Sequence, residues 1–486
     1  MRTRSIARSC FVVATVSVIG SACQNTTTVT ARDTSAGTNS KFATPQEIFS
    51  PANFRSRRDR LTKLVPDGLV VLIGAKGVID AWEEHRNDPT YRVQPVRQEE
   101  NLFYLTGVTI PNAAVVVDTK ASLTRVYVLR TTPDAEAEVK RLGLGAPLPF
   151  AQIETDLDAQ IKGRPVYLIV RSEQIASTRN AFGGPISLPS FFPGGAPGTY
   201  PEDQFRALFQ KRFRNADIRS ILPVMEQLRK ANDGEEVEAL RKTVHISSTG
   251  LMAGIARVAP GVDEREVAAE IEYVFKRSGA QFTAYGADIQ SGPNSMRSFV
   301  DLFGSYDTAN RTMKTGELVL VDHSAEVNYY VCDLARTVPV SGQFDPDQRL
   351  AYETYLAAYE AGLAAIRPGV PYLRAGEVAA ETMRSKIPQL PEWLRKAAES
   401  FAQRTGGRRP GHFLGMNLHV HEDYESPLQP GEVVAYEPTL QIPERGIRIT
   451  VEETVLVTAT GNEVLSAEIP RSVAGLEQLM ARKGTR

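Results

Sequence analysis

The chain has 486 residues, 42% of them hydrophobic and 23% charged, with a formal net charge of -1. That length exceeds what one hydrophobic core usually fills, so two domains are expected. The ordinary globular composition excludes a disordered chain, and the balanced charge excludes the basic surface that nucleic acid or an anionic membrane demands, which leaves a small molecule as partner.

In chain order, Arg2, Arg4 and Arg8 precede an apolar run from Cys10 to Gly20 and the small residues Ser21 and Ala22. This pattern predicts a secretory signal over residues 1–22. The run is too short to cross a hydrocarbon layer of about 30 Å, so no transmembrane helix is expected. Cys23 follows the cut, where a bacterial lipoprotein carries its lipid, while Gly20 replaces the larger aliphatic residue such a signal has three positions earlier. An exported protein is predicted, periplasmic or lipid-anchored through Cys23, otherwise secreted. With Cys23 and Cys332 alone left in the mature chain, no disulfide framework supports the fold. Residues 23–44, rich in Thr, Ser, Asn and Gly, read as a disordered tether.

Residues 45–224 form the first predicted domain. Strand-like runs at Leu69–Ile73, Ala113–Val117, Arg125–Leu129 and Val166–Val170 alternate with helical patterns, which predicts an α/β architecture. Gly183–Tyr200 is dense in Gly and Pro and reads as an irregular insertion. The second domain is placed over residues 225–482. It opens on a helix that is acidic first and basic later from Glu235 to Lys242, as the helix dipole prefers. Two helices, a strand-rich stretch from Phe282 to Val340, two more helices from about Asp347 to Ala402 and strands from Gly411 to Val457 follow. The predicted class is α+β.

Two segments carry chemistry. Leu318–Asp322 and Tyr329–Thr337 are symmetric about Val327-Asn328, so a hairpin there places Asp322 opposite Asp333. Ala435–Pro438 and Val451–Val457 are symmetric about Glu444-Arg445, which pairs Glu437 with Glu452 and turns Glu453 away to solvent. His412, between Gly411 and Gly415, adds an imidazole. Four carboxylates match two divalent cations in charge, and one imidazole among oxygens suits Mn, Co or Zn better than Ca. Two such ions activate water and polarise a carbonyl, so amide hydrolysis is the implied reaction.

The segments Val319–Gly342, His412–His419, Gly431–Pro438 and Glu452–Thr458 resemble, in order and spacing, the signatures of the pita-bread metallopeptidases. Arg57–Leu61, Asp67–Gly74 and Arg97–Gly107 look like the N-terminal domain of aminopeptidase P and prolidase, and Ser291–Asn294 matches a loop at the edge of the family's site. The resemblance implies an N-terminal α/β aminopeptidase P-like domain followed by a pita-bread catalytic domain. It implies a dinuclear centre, Mn first, held by Asp322, Asp333, His412, Glu437 and Glu452, with His419 contacting substrate. A homodimer or homotetramer acting on small peptides is expected.

Three positions depart from the family pattern. Ser305 before Tyr306 stands where the catalytic histidine is implied, Thr450 stands where Arg is usual, and Arg408 replaces another histidine. Arg448 shares the strand face of Thr450 and can reach in, and His419 is the best remaining acid-base candidate, ahead of His323 and His421. The leading reading is an exopeptidase that removes the residue before a second-position Pro. The alternatives are a prolidase-type dipeptidase and a metal-stabilised binding protein without turnover.

Overall fold

The computed structural model describes residues 44–77, 95–170, 201–297 and 310–481. The signal, nearly all of the tether, the Gly183–Tyr200 insertion, His85, Ser305 and Tyr306 lie outside the described residues.

The N-terminal part is built on a six-stranded mixed sheet in the order β4-β3-β2-β1-β5-β6. Its strands are β1 Leu69–Ile73, β2 Ala113–Asp118, β3 Leu123–Val128, β4 Leu148–Pro149, β5 Pro165–Leu168 and β6 Asp217–Ser220. Strands β1 and β2 read as continuous apolar runs because both faces of this layer are covered, one by Leu157, Ile161 and Phe209, the other by Phe54, Leu61 and Leu102.

The C-terminal part opens on the helix Gly234–Arg257, whose Asp233 N-cap forms a capping box with Glu236. Its strands are β7 Phe282–Thr283, β8 Asp288–Ser291, β9 Leu318–Asp322, β10 Ala325–Val327, β11 Tyr330–Val331, β12 Ala335–Pro339, β13 Gly411–Phe413, β14 Val433–Tyr436, β15 Thr439–Ile442, β16 Ile447–Val457 and β17 Asn462–Val464. The main sheet runs β13-β14-β16-β12-β9-β8, with β15 and β17 also paired to β16. Between its strands stand three helices, Pro346–Ala365, Leu373–Lys386 and Glu392–Thr405, not the two expected. Pro368 and Pro371 separate the first pair, and Pro388 with Pro391 divides what read as one continuous pattern.

The second hairpin has the register read from the sequence: Tyr436 pairs with Glu453 and Thr439 with Thr450, so Glu437 falls opposite Glu452. The first hairpin does not. Ala335, not Asp333, lies opposite Asp322, and Val327 pairs with Tyr330, which moves the turn one residue on to Asn328-Tyr329. Both turn residues have positive φ, 52° and 75°, as a two-residue hairpin turn of the primed type requires. Tyr329 is held there by its ring, stacked 3.9 Å from Phe103, and by the Gln98 N–H donating to its hydroxyl at 3.2 Å. Glu453 also differs from expectation: it turns away from Glu452, yet it is fully buried against Arg336 at 2.6 Å and Arg471 at 3.2 Å.

Among the described residues no helix is long and apolar enough to cross a membrane.

Candidate metal centre

Directly opposed residues of an antiparallel sheet share a face. Asp288 pairs with Asp322, Asp322 with Ala335, and Ala335 with Glu452. With Glu437, in the link between β14 and β15, opposite Glu452, one row across four strands and that link carries four carboxylates around a single alanine, whose small side chain leaves room between them. Asp333 lies two residues from Ala335 and therefore points to the same face, diagonal to Asp322. Its backbone is pinned to β16 by Thr454, whose hydroxyl accepts from Asp333 N–H at 3.2 Å and donates to its carbonyl at 3.0 Å. That bridge holds Asp333 where pairing between β11 and β12 lapses.

His412 reaches the same space from β13. Its Nε2 is 3.3 Å from Asp333 Oδ2 and 3.8 Å from Glu437 Oε1. Gly411 beside it is required by close approach, since a Cβ there would collide with the Ala435 carbonyl. One ligand-type atom from each of Asp333, His412 and Glu452 lies within 4.8 Å of the others. Tyr285 donates its hydroxyl to Asp322 Oδ1 at 2.7 Å.

The electrostatics are those of too much negative charge in one place. Burial, then the charges of Asp333 and Asp288, hold Asp322 well above the usual carboxylate range. Burial, then Asp333, Glu437 and Asp322, do the same to Glu452. Asp288 is pushed up to about 6, by burial first, against the lowering pull of Arg448. Such groups take up either protons or cations. Glu452 Oε1 and His412 Nδ1 are buried without a hydrogen-bond partner among the described residues. Carboxylate oxygens with one imidazole are a donor set that fits a divalent transition cation.

Other predicted residues fall as follows. His419 is exposed at the rim, its ring stacked 4.2 Å from His412. Lost solvation, then His412 and Arg409, push its pKa down to about 4. Because the ring is more than a third exposed, water softens that shift. Arg448 donates from Nη1 to Gln290 Oε1 at 2.8 Å. Thr450, one step along the same face from Glu452, shares a 3.0 Å hydroxyl contact with Thr439. His323 is fully buried on the opposite face between Phe275 and Tyr285, and His421 is buried against Phe413 at 3.8 Å, its Nδ1 accepting from Asp423 N–H. Neither joins the cluster. Sequence reasoning missed Tyr285 and Asp288; polar alternation at Asp288 and Gln290 was the available signal for the second.

Residues 54–143 match the family model for the aminopeptidase P N-terminal domain, and residues 238–459 match that for metallopeptidase family M24. Residues 238–459 form a metallopeptidase family M24 domain, preceded by an aminopeptidase P N-terminal domain. The Xaa-Pro aminopeptidase of Escherichia coli (strain K12) is 27% identical over 469 residues, 90% of this chain and 99% of that protein. The Xaa-Pro dipeptidase of Pyrococcus furiosus is 29% identical over 263 residues, 53% of this chain and 69% of that protein. The solved structure of Pseudomonas aeruginosa aminopeptidase PepP has a TM-score of 0.71 at 23% identity and covers 90% of this chain and 99% of its own. A structure of E. coli aminopeptidase P also scores 0.71. The fold of this chain is therefore that of aminopeptidase P, an N-terminal domain followed by a pita-bread domain.

Proposed function

We propose that this chain is a metal-dependent exopeptidase that releases the N-terminal residue from peptides with Pro in second place. The observation that carries the reading is the row of carboxylates with His412 on one sheet face, buried at Glu452 and opening toward solvent at Glu437, in a chain that two bacterial relatives named Xaa-Pro aminopeptidase match over 90% and 88% of its length. Asp322, Asp333, His412, Glu437 and Glu452 hold the cations in this reading, Mn first and Co or Zn next. Two divalent ions bound there supply a nucleophilic water near neutral pH and polarise the scissile carbonyl. The chain's own part is positional. Tyr285 fixes one Asp322 oxygen, Thr454 fixes the Asp333 backbone, and burial withdraws His412 and Glu452 from bulk water. His419, neutral near pH 7 and open to solvent, is placed to exchange a proton with the departing amine.

Ser305 favours a second reading in which the site binds peptides without turning them over, because a hydroxyl is no proton reservoir near neutral pH. Reconstitution with Mn, Co or Zn and assay on Xaa-Pro-Yaa beside Xaa-Pro tests both. Release of Xaa from the tripeptide supports the aminopeptidase, preference for the dipeptide selects a prolidase type, and two bound metals with no turnover selects the binding protein. In the first case Ser305→His raises kcat. We further propose export through residues 1–22, with lipidation of Cys23 read by mass spectrometry from the native host, and assembly as a homodimer or homotetramer, read by light scattering.

A further inference from the structure

Asp288 is the member of the carboxylate row that the proposed ligand set leaves unused. It stands on β8, directly opposite Asp322, and is about nine-tenths buried. Its Oδ1 has no hydrogen-bond partner among the described residues. Two residues along, on the same face, Gln290 is fully buried. Its Oε1 accepts from Arg448, but its Nε2 is unpartnered among the described residues, and so is the buried Nε of Arg448. Against burial, which pushes the Asp288 carboxyl up, Arg448 and Gln290 both pull it down, so the three side chains face one another. Yet none of the three atoms makes a hydrogen bond among the described residues, and together they present one acceptor and two donors withdrawn from water. Native folds leave few such atoms unpaired, and three together mark a place where a ligand completes the bonding.

We propose that Asp288, Gln290 and Arg448 form a recognition subsite for the leading residue of a peptide, Asp288 accepting from the α-ammonium while Gln290 and Arg448 donate to a main-chain carbonyl. The proposal rests on the aminopeptidase reading and names how that site counts from the chain end. An N-terminal ammonium is two bonds from the carbonyl carbon being attacked. The carboxylate that reads it must therefore adjoin the metal ligands, and cross-strand neighbours are about 4.5–5.5 Å apart at Cβ. Asp288 beside Asp322 meets that requirement. An N-acetylated peptide would offer no ammonium and would press an amide against a buried carboxylate.

The test is steady-state kinetics of the metal-loaded chain on Ala-Pro-Ala and its N-acetyl form, with metals counted per chain. Asp288→Asn is expected to raise KM for Ala-Pro-Ala about 10- to 100-fold, as loss of a charge-assisted bond does, with kcat and metal content held and the preference over the acetylated peptide narrowed. Gln290→Met, close in shape, is expected to raise KM several-fold with no loss of metal. Loss of metal in Asp288→Asn, a fall in kcat at unchanged KM, or no change in either variant would overturn the proposal. If the wild type cleaves nothing, the aminopeptidase reading fails by itself, and calorimetric binding of the intact tripeptide reads the subsite. Weaker binding by Asp288→Asn then upholds a peptide subsite, and equal binding overturns it.

Discussion

The two hairpins that meet at the carboxylate cluster were built by different means. The second turns through Pro443–Arg445 and Gly446, which has φ 60° and open space around its Cα, and it meets the rest of the chain only through exposed side chains among the described residues, Arg445 pairing with Asp347 and lying 4.1 Å over Trp393. The first turns through Asn328-Tyr329 inside the molecule, where Tyr329 stacks on Phe103 and Tyr330 donates to Glu236 at 2.8 Å. A local turn is set by its own residues. A buried turn is set by what packs on it, and here that includes the N-terminal part of the chain.

If the hairpins serve one centre, removing a carboxylate from either should abolish the same activity. Asp333→Asn and Glu452→Gln are each expected to cut turnover at least about 10³-fold, since the charge stabilisation lost amounts to several kcal/mol. A chelator should lower the melting temperature of the wild type, in line with about 2.7 kcal/mol for an ion held at 100 times its Kd. Neither variant should respond to it. Full turnover in Asp333→Asn would separate the first hairpin from the centre and break the comparison.

The difference between the turns is sharpened by Phe103→Ala. This ring is fully buried, and its loss is expected to cost about 3–5 kcal/mol in denaturant unfolding, with a fall in kcat because the turn that sets Asp322 and Asp333 loosens. Gly446→Ala strains one left-handed residue and should cost about 1–2 kcal/mol without touching kcat. Equal effects on kcat would show that both turns are local after all.

This contrast also explains what the sequence made legible. The register of Glu437 against Glu452 was readable, because strand symmetry about an exposed turn is local information. The partner of Asp322 was misread by two residues, since the one-residue shift of the turn to Asn328-Tyr329 depends on Phe103 and Gln98, more than 200 positions away in the chain. Asp288 escaped notice for the same reason: it joins the row through β8 pairing with β9, across an intervening sequence that offers no symmetry to count from. Glu453 was taken as solvated because the period of two gives a direction but not what lies there, and Arg336 with Arg471 lies there.

His419 tests the rim rather than the centre. It is exposed and touches the cluster only by stacking on His412. His419→Ala is therefore expected to lower kcat about 10²-fold through the lost proton exchange, while stability moves by no more than about 0.5 kcal/mol. An unchanged kcat would leave proton delivery to another group.

The smallest effect concerns the loop by which the chain travels from β13 to β14, the entry to the second hairpin. Gly431 in that loop accepts from the Asn232 N–H at 2.8 Å, and Asp423 is bonded to Lys230 at 2.6 Å. The Lys230 ammonium, and then Ser426, pull the Asp423 carboxyl down to about 2. A carboxylate whose pKa is lower in the folded than in the unfolded state binds fewer protons when folded. Its stabilisation is therefore complete above the unfolded value of about 4 and is lost as pH falls through about 2. The Asp423 side chain is 43% exposed, so solvent screening takes most of the Coulomb gain. Asp423→Asn is expected to cost less than about 1 kcal/mol at pH 7, and wild type and variant should converge in stability as the pH drops toward 2. A larger cost at neutral pH would mean that this surface pair, and not the strand register alone, carries the entry to the second hairpin. In that event the second hairpin would depend on distant packing as the first does, and the contrast between the two would narrow to the depth at which each turn is held.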